Sequence, residues 1–582
     1  MGYPVRSMAD ARDIRQHLES LVTGAVRAAV AAGELPDVAL PGATIERPKD
    51  AANGDYASSL PLRLARAAMK PPLVIAEVLV RHLPADPAIE APEVAPPGFI
   101  NFRLSNAFLQ SQVEWVISAG ERYADLAIGA GKKAQVEFVS ANPTGPLHVG
   151  NGRGAAIGDA LASTLGAAGY EVEREYYVND AGTQTDSFGD TLYARYQQLF
   201  GRAVDIPKDG YPGHYMVELA SQLKAEAGDR YLRPEGEPAP ADLTEVGIDL
   251  MVRGIRSSLA AFGVNYDRWF SEKSLYGASG VYDEVMALLL ANGQLVDREG
   301  ARWFTSSDLG EDKDNVVVRS DGRPTYYASD IAYHYDKFVK RGFSLVIDVW
   351  GADHHGHVSR LKTATGAFGA DAEGLHVLLY QLVVLKRGGE IVRLSKRSGE
   401  IITLDELIDE VGADAARFFF LLRSPGAQME FDLDLAKKQS NENPVFYVQY
   451  AHARLAGILR RATEQGLSPE GGDVTLLTRG HELALVREMM RLSEVIQVAA
   501  TTFEPQHLPH YAMSLATAFH AFNDAFKVQN DSALKVITED EALSRARLRL
   551  VQAAKISLAR VLALMGMTAP ERMDRAEAAI EG

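Results

Sequence analysis

The amino-acid sequence predicts a multidomain chain, α/β plus all-α, in which a parallel sheet interrupted by an insertion lies between an N-terminal α/β module and a C-terminal helix bundle. Three observations carry that prediction. A strand, a glycine-rich turn, a helix and a second strand follow one another over residues 135–178; further apolar strands recur at 345–350 and 378–385; and from residue 403 onward the pattern is amphipathic helix throughout. A length of 582 residues corresponds to about four domains. The hydrophobic fraction of 47% and charged fraction of 24% are those of an ordinary globular protein. With no cysteine, the chain has no disulfide framework, thiol nucleophile or cysteine-ligated metal. No apolar run approaches the ~18 residues of a membrane span, and Met1–Gly33 lacks the apolar core of a signal peptide, so a cytoplasmic protein without a membrane partner is expected. The formal net charge of -17 argues at first against a nucleic-acid partner. Local basic patches can overcome it, because salt screens distant charges beyond about 10 Å, and residues 442–582 are the less acidic part.

In chain order, residues 1–48 read as a helix and a Gly/Pro-punctuated stretch, and Ser59–Leu83 as helix broken at Pro71 and Pro72. Leu83–Pro97 should be extended. Gly98–Leu104 (GFINFRL) reads as a strand with Ile100, Phe102 and Leu104 on one face. Gln135–Ser140 is a strand, Asn151–Ala168 a helix stopped by Gly169, and Tyr170–Val178 the next strand, making a βαβ unit. Residues 190–300 fit neither strand rhythm and read as the insertion. Asn315–Arg319, Leu345–Trp350 and Leu378–Leu385 are expected to complete the parallel sheet with right-handed crossovers. Thr403 and Glu406 form a capping box, Gly412 ends that helix, and Asn443–Pro444 starts a helix that runs to Gly466. Three further helices are expected near 480–500, 508–527 and 540–565.

The chemistry concentrates in Ser140–Asp159, SANPTGPLHVGNGRGAAIGD, between a strand and a helix. A glycine-rich turn at such a junction lets phosphate meet free backbone N–H groups and the positive end of the helix dipole. Gly150, Gly152 and Gly154 suggest the dinucleotide fingerprint, but Ala155 stands where its third glycine belongs. His148 with Gly150 and Asn151 describes the site better, as imidazole and carboxamide donors for phosphate oxygens whose charge rises in a pentavalent transition state; a plain tight turn is the bland alternative. A second stretch, Ile391–Gly399 (IVRLSKRSG), puts Arg393, Lys396 and Arg397 on one loop, suited to a polyphosphate leaving group or, read alone, to a solvated basic turn.

Together the two stretches resemble the HIGH and KMSKS signatures of class I aminoacyl-tRNA synthetases, here His148-Val149-Gly150-Asn151 and Arg393-Leu394-Ser395-Lys396-Arg397. GFINFRL (98–104), EFVSANPTGPLHVG (137–150), YYVNDAG (176–182), GADHHGHV (351–358), LDELIDEVGADAARFFFL (404–421) and NPVFYVQYAHAR (443–454) narrow the resemblance to the arginyl-tRNA synthetases. Three departures from the family pattern stand out, at four positions. Asn151 stands for the second histidine, Arg393-Leu394 for Lys-Met and Arg397 for the final serine; asparagine keeps a donor and arginine a charge.

The resemblance implies a Rossmann-like nucleotide-binding sheet and an arginine-tRNA ligase that uses ATP with Mg2+, L-arginine and tRNA(Arg), expected to be a monomer. It implies catalytic roles for His148, Asn151 and Lys396, and ATP contacts from His148, Gly150, Asn151, Gly152, Arg393, Ser395, Lys396 and Arg397. The HIGH-like motif spans Ala141, Asn142, Pro143, Thr144, Gly145, Pro146, Leu147, His148, Val149, Gly150 and Asn151. Its arginine pocket would comprise Glu137, Asn142, Tyr326, Asp330 and His354. Carboxylates suit that substrate because guanidinium is planar, always charged and best held in bidentate geometry. His354, His355 and His357 invite a metal reading, but three histidines within four residues rarely face one ion, so no metal held by protein side chains is expected. The implied modules are residues 1–118 contacting tRNA, 119–430 carrying catalysis with the insertion at about 190–300, and 431–582 binding the anticodon. In the last, Arg454, Arg460, Arg461, Arg545, Arg547, Arg549 and Lys555 are candidate phosphate contacts, and Phe446, Tyr447 and Tyr450 candidate stacking rings. A nucleotidylyltransferase would have no use for the bundle, and a non-catalytic RNA-binding relative would have no use for His148 and Lys396.

Overall fold

The structure, a computed structural model, describes residues 14–39, 41–42, 45–181, 183–277, 280–392 and 402–573. Two compact units divide the chain: Met1–Tyr123, Ala451–Ser493 and Ser514–Leu558 form one, and Ala124–Tyr450, Glu494–Met513 and Ala559–Gly582 the other. Among the described residues no helix is long and apolar enough to cross a membrane.

In the first unit a four-stranded antiparallel sheet runs in the order Ile45–Glu46, Tyr56–Ser58, Phe99–Phe102, Glu93–Ala95. Helices Ile14–Ala31, Leu60–Ala68, Pro72–His82 and Asn106–Ala119 accompany it. Ile100, Phe102 and Leu104 are buried as their alternation predicts. Polar bonds join this module to the helical residues of the same unit. Gln110 donates to the carbonyls of Thr475 and Leu477, both at 3.0 Å, Arg487 pairs with Asp55 at 2.7 Å, and Arg549 Nε donates to Glu114 at 2.8 Å. Two expectations about phosphate contacts change here. Arg547 is buried against Glu482 at 2.7 Å, and Arg549 is committed to Glu114, because helix packing needed their charges internally.

The second unit is built on five parallel strands. Its elements are β1 (Lys133–Phe138), α1 (Val149–Ala167), β2 (Glu171–Val178), β3 (Arg268–Ser271), α2 (Tyr326–Tyr335), β4 (Leu345–Gly351), β5 (Leu375–Tyr380), β6 (Val383–Arg387), β7 (Glu390–Val392), α3 (Leu404–Val411), α4 (Ala413–Leu421) and β8 (Met429–Asp432). The sheet order is β5-β4-β1-β2-β3, parallel throughout. Val136, Phe138, Val346 and Ile347 are fully buried at its centre, as both-faced cover of a parallel sheet demands. Strand order reverses between β1 and β4, so the crevice outside their C-terminal ends is the natural ligand position.

Three sequence expectations are revised. Residues 190–300 are largely helical, at Thr183–Gln198, Tyr215–Ala227 and Leu243–Ala261, and they return β3 to the sheet edge, where Trp269 stacks on Tyr176 at 4.3 Å. Four residues are too short to show a strand period. Asn315–Val318 leaves the parallel sheet for an antiparallel one with Ala301–Phe304 and Leu295–Arg298. The single strand expected over 378–385 is two, because the Gln381 N–H is drawn to the Pro425 carbonyl at 3.0 Å, and β6 then lies between β7 and β8 in a separate sheet. The predicted capping box holds: Glu406 N–H donates to Thr403 Oγ1 at 3.1 Å and Thr403 N–H to Glu406 Oε2 at 3.0 Å.

α1 lies directly on β1 because glycine allows it; a Cβ on Gly158 would stand 2.2 Å from the Phe138 ring. Gly166, exposed on the same helix, meets nothing within 4 Å. Gly158→Ala is therefore expected to destabilise the protein by about 1–3 kcal/mol through overpacking, while Gly166→Ala leaves stability unchanged or raises it by up to about 1 kcal/mol. Denaturant unfolding of both variants checks the pair.

Candidate active site

β1 ends at Phe138, and the chain turns at once through Val139 (φ 68°) and Ser140 (φ 40°), a left-handed conformation that strains a β-branched residue. The Ser140 hydroxyl holds the turn: it donates to Glu137 Oε1 at 2.9 Å and accepts from the Tyr177 N–H at 3.1 Å. The loop is fastened by Tyr176, whose hydroxyl donates to the Ala141 carbonyl at 2.8 Å, and by Tyr215, which donates to Thr144 at 2.7 Å.

At the start of α1, His148 and Asn151 cap the helix reciprocally. The Asn151 N–H donates to His148 Nδ1 at 3.4 Å, and the His148 N–H donates to Asn151 Oδ1 at 3.0 Å. A ring nitrogen that accepts carries no hydrogen, so the neutral imidazole keeps its N–H on Nε2. Surrounding protein lowers the pKa of the accessible His148 ring and favours that neutral form. Asn151 likewise spends its oxygen on the cap and keeps its NH2 group. Two side-chain donors thus stand at the positive end of a 19-residue helix, an arrangement made for an anion. Gly150 leaves the space beside them open, since a Cβ there would lie 3.0 Å from His148 Cε1. Gly152 lies two residues further along, buried, where a Cβ would meet Leu404 Cδ1 at 2.7 Å.

Arg393, Ser395, Lys396 and Arg397 lie outside the described residues. The chain enters that segment through the β6–β7 hairpin, and at its far end the Ile402 carbonyl accepts the Val149 N–H at 3.2 Å. Leu404 N–H donates to the Leu147 carbonyl at 2.8 Å. The chain leaving the basic stretch is thereby tied to the glycine-rich turn.

Beside the turn lies a buried cluster of acids. Glu137 and Asp348 are register partners on β1 and β4, and the fully buried Lys337 Nζ donates to Glu137 Oε2 at 2.6 Å and Asp348 Oδ1 at 2.8 Å. Lys337 and the His334 ring, 2.8 Å away, hold the Asp348 carboxyl well below its usual range against burial, while burial raises Glu137 despite Lys337. Asp330 has no such partner: its carboxylate makes no hydrogen bond or ion pair among the described residues. Burial, reinforced by Glu137, Glu272 and Asp348 and opposed by His334, pushes it up to about 7. Burial likewise raises Glu272, which Ser329 and Tyr177 hydrogen-bond. The Tyr177 phenol is raised by burial and then by Glu272, Asp330 and Glu137. Negative charge thus gathers around a carboxylate that is unpaired among the described residues, which favours a cation there.

Of the other expected residues, Tyr326 begins α2 one turn before Asp330 and is 54% exposed. Asn142 and His354 are exposed on the loops that follow β1 and β4; Asn142 donates to Gln184 at 2.9 Å, and the His354 ring lies 6.0 Å from Trp350. Sequence reasoning missed Lys337, His334 and Glu272. The signal for the first two was present, since Asp330, His334 and Lys337 fall at i, i+4 and i+7 on one helical face.

Family models match almost the whole chain: an arginyl tRNA synthetase N-terminal domain over residues 13–104, a catalytic domain of class I (R) tRNA synthetases over 112–201 and 254–419, and a DALR anticodon binding domain over 448–573. The chain is 51% identical over 541 residues to an arginine–tRNA ligase of Dehalococcoides mccartyi strain BAV1, covering 93% of this chain and 96% of that one. It is 48% identical over 567 residues to an arginine–tRNA ligase of Carboxydothermus hydrogenoformans, covering 96% and 100%. In fold it matches the Thermus thermophilus arginyl-tRNA synthetase with a TM-score of 0.74 at 24% identity, over 96% of this chain and 100% of that one.

A carboxylate whose folded pKa lies above its unfolded value makes the folded state bind more protons, so stability falls as pH rises from about 4 through about 7. Asp330→Asn removes that term. The variant should gain on the parent over this window and, free of ligand at pH 8, exceed it by about 1–3 kcal/mol. Denaturant melts of both proteins at pH 5 and pH 8 test the sign; a gap that shrinks with pH contradicts it.

Proposed function

The chain belongs to the arginyl-tRNA synthetases, and on that premise we propose that it activates L-arginine with ATP and transfers the arginyl group to the 3′-terminal adenosine of its tRNA. The observation that carries this reading is the half-buried Asp330 carboxylate, unpaired among the described residues, in a cluster of acids beside a helix start whose His148 and Asn151 donors likewise have no partner among the described residues. Guanidinium keeps its charge at any working pH and offers the planar fork that a carboxylate accepts in two bonds. Asp330 is its principal partner. Glu137, with its oxygens on Lys337 and Ser140, adds negative potential, and Tyr326, Asn142 and His354 complete the pocket.

The arginine carboxylate attacks the α-phosphorus, and pyrophosphate leaves. His148 Nε2–H and the Asn151 amide donate to the α-phosphate oxygens as their charge grows, with Gly150 leaving room for the phosphate. Lys396, with Arg393 and Arg397, neutralises the departing β- and γ-phosphates and Ser395 donates a hydrogen bond to them; Mg2+ bound to the ATP substrate would supply further charge shielding there. No protein nucleophile is required, because positioning and electrostatics supply the acceleration. The 2′-hydroxyl of the terminal adenosine then takes the arginyl group. Residues 1–118 and 431–582 contact the tRNA, the latter at the anticodon, and activation waits on bound tRNA.

Pyrophosphate exchange into ATP tests the reading with arginine, lysine or citrulline, each with and without tRNA. Only arginine with tRNA should support it. Exchange indifferent to the amino acid overturns the assignment, and robust exchange without tRNA overturns the tRNA requirement. Lys396→Ala should lower kcat by about 10²–10³-fold while the arginine KM changes less than about threefold, the signature of an interaction made in the transition state. Asp330→Asn should lose most of the preference for arginine over citrulline, because the neutral amide no longer rewards the charge.

A further inference from the structure

The motif Asn151-Gly152-Arg153-Gly154 contains one charged residue, Arg153, that the proposed chemistry does not use. Arg153 is among the largest fully buried side chains of the described residues, together with Arg417 and Arg547. Those two each pair with a carboxylate, Asp159 and Glu482 respectively. Arg153 has none among the described residues. Its Nη1 donates to the carbonyls of Gln381 at 2.6 Å and Ala427 at 3.0 Å, its Nη2 donates to Ser424 at 3.0 Å, and its Nε is buried without an acceptor. Burial brings even this guanidinium down to about 10.

Stability alone does not account for such a residue. Burying an ion costs several kcal/mol, and an apolar side chain of similar volume is often neutral or stabilising in its place. What the planar fork supplies is reach: from the first turn of α1 it holds carbonyls of two separate segments. Gln381 lies between β5 and β6, and Ser424 and Ala427 lie in the turn before β8. They therefore bracket the parallel β6–β8 pair, whose β6–β7 hairpin leads in sequence to residues 393–401. The flanking glycines serve the same approach, since a Cβ on Gly154 would meet Tyr380 at 2.9 Å and one on Gly152 would meet Leu404 at 2.7 Å.

We propose that Arg153 is a positioning residue for adenylate formation: its fork sets the β7-β6-β8 sheet against the start of α1, so that this sheet and the His148 and Asn151 donors keep one register on the nucleotide phosphates. It touches no reacting atom, and the proposal rests on the function proposed above. A misplacement of about 1 Å between such groups can cost roughly 10²-fold in rate. The effect should be confined to the step in which the α–β phosphate bond breaks or re-forms.

The test compares three steps in the parent, Arg153→Met and Arg153→Lys: single-turnover adenylate formation with tRNA, pyrophosphorolysis of arginyl-adenylate, and transfer of arginine from supplied arginyl-adenylate to tRNA. In Arg153→Met the first two should fall together by roughly 10²-fold, with transfer and the arginine KM within about threefold of the parent. Lysine keeps a charge but not the fork, so Arg153→Lys should fall between the two, and it decides the matter if the methionine variant does not fold. Equal loss in all three steps, or parent-like adenylate formation in Arg153→Lys, overturns the proposal. A parent enzyme that does not activate arginine overturns instead the functional reading beneath it.

Discussion

The ammonium of Lys337 is the interaction on which the pocket depends. Glu137 and Asp348 sit side by side on adjacent central strands, and two buried carboxylates so placed repel each other unless a cation lies between them. Lys337 reaches them from a π-helical turn, Asp336–Lys340, that continues α2; such irregular turns recur at functional sites. Drawing that turn onto the sheet also brings down α2, and with it Asp330 two turns earlier. The protein has spent its internal cation on the two strand acids. Asp330 is left with burial and negative neighbours, the electrostatic condition for binding a positive side chain.

The second half of the site follows from economy in hydrogen bonding. A helix start exposes N–H groups that need acceptors. His148 and Asn151 cap each other with their acceptor atoms, Nδ1 and Oδ1, leaving their N–H groups for a ligand. The departure from the family pattern at residue 151 is therefore compatible with both duties, since a carboxamide caps with its oxygen and donates with its nitrogen. The same turn is stitched to the chain that follows the basic stretch, through Leu147–Leu404 and Val149–Ile402, although the two segments are about 250 residues apart in sequence.

Much of this was legible in the sequence where the signal is local. The βαβ unit at 135–178, the Thr403–Glu406 box and the Asn443–Pro444 helix start depend on neighbours within a few residues. The local signal also pointed to His148 and Asn151 as donors. What escaped it depends on distant partners. Asn315–Val318 has the composition of a core strand, and nothing in its own residues tells which sheet it joins. β3 is too short to show a period. Arg547 and Arg549 look like surface cations until Glu482 and Glu114 are found against them. The resemblance placed Glu137 in the arginine pocket, and nothing near it in sequence announces its bond to Lys337, 200 residues away.

The central claim, that Asp330 is a protonatable carboxylate awaiting a cation, is tested most directly by counting protons. A guanidinium beside Asp330 forces it to ionise, so arginine binding must release what the free protein holds at that site. Calorimetric titration with arginine at pH 7, in buffers of different ionisation enthalpy, should show release of about half a proton per arginine, as expected for a group with a pKa of about 7, and none in Asp330→Asn. Binding without proton release in the parent, or equal release in the variant, would contradict the account.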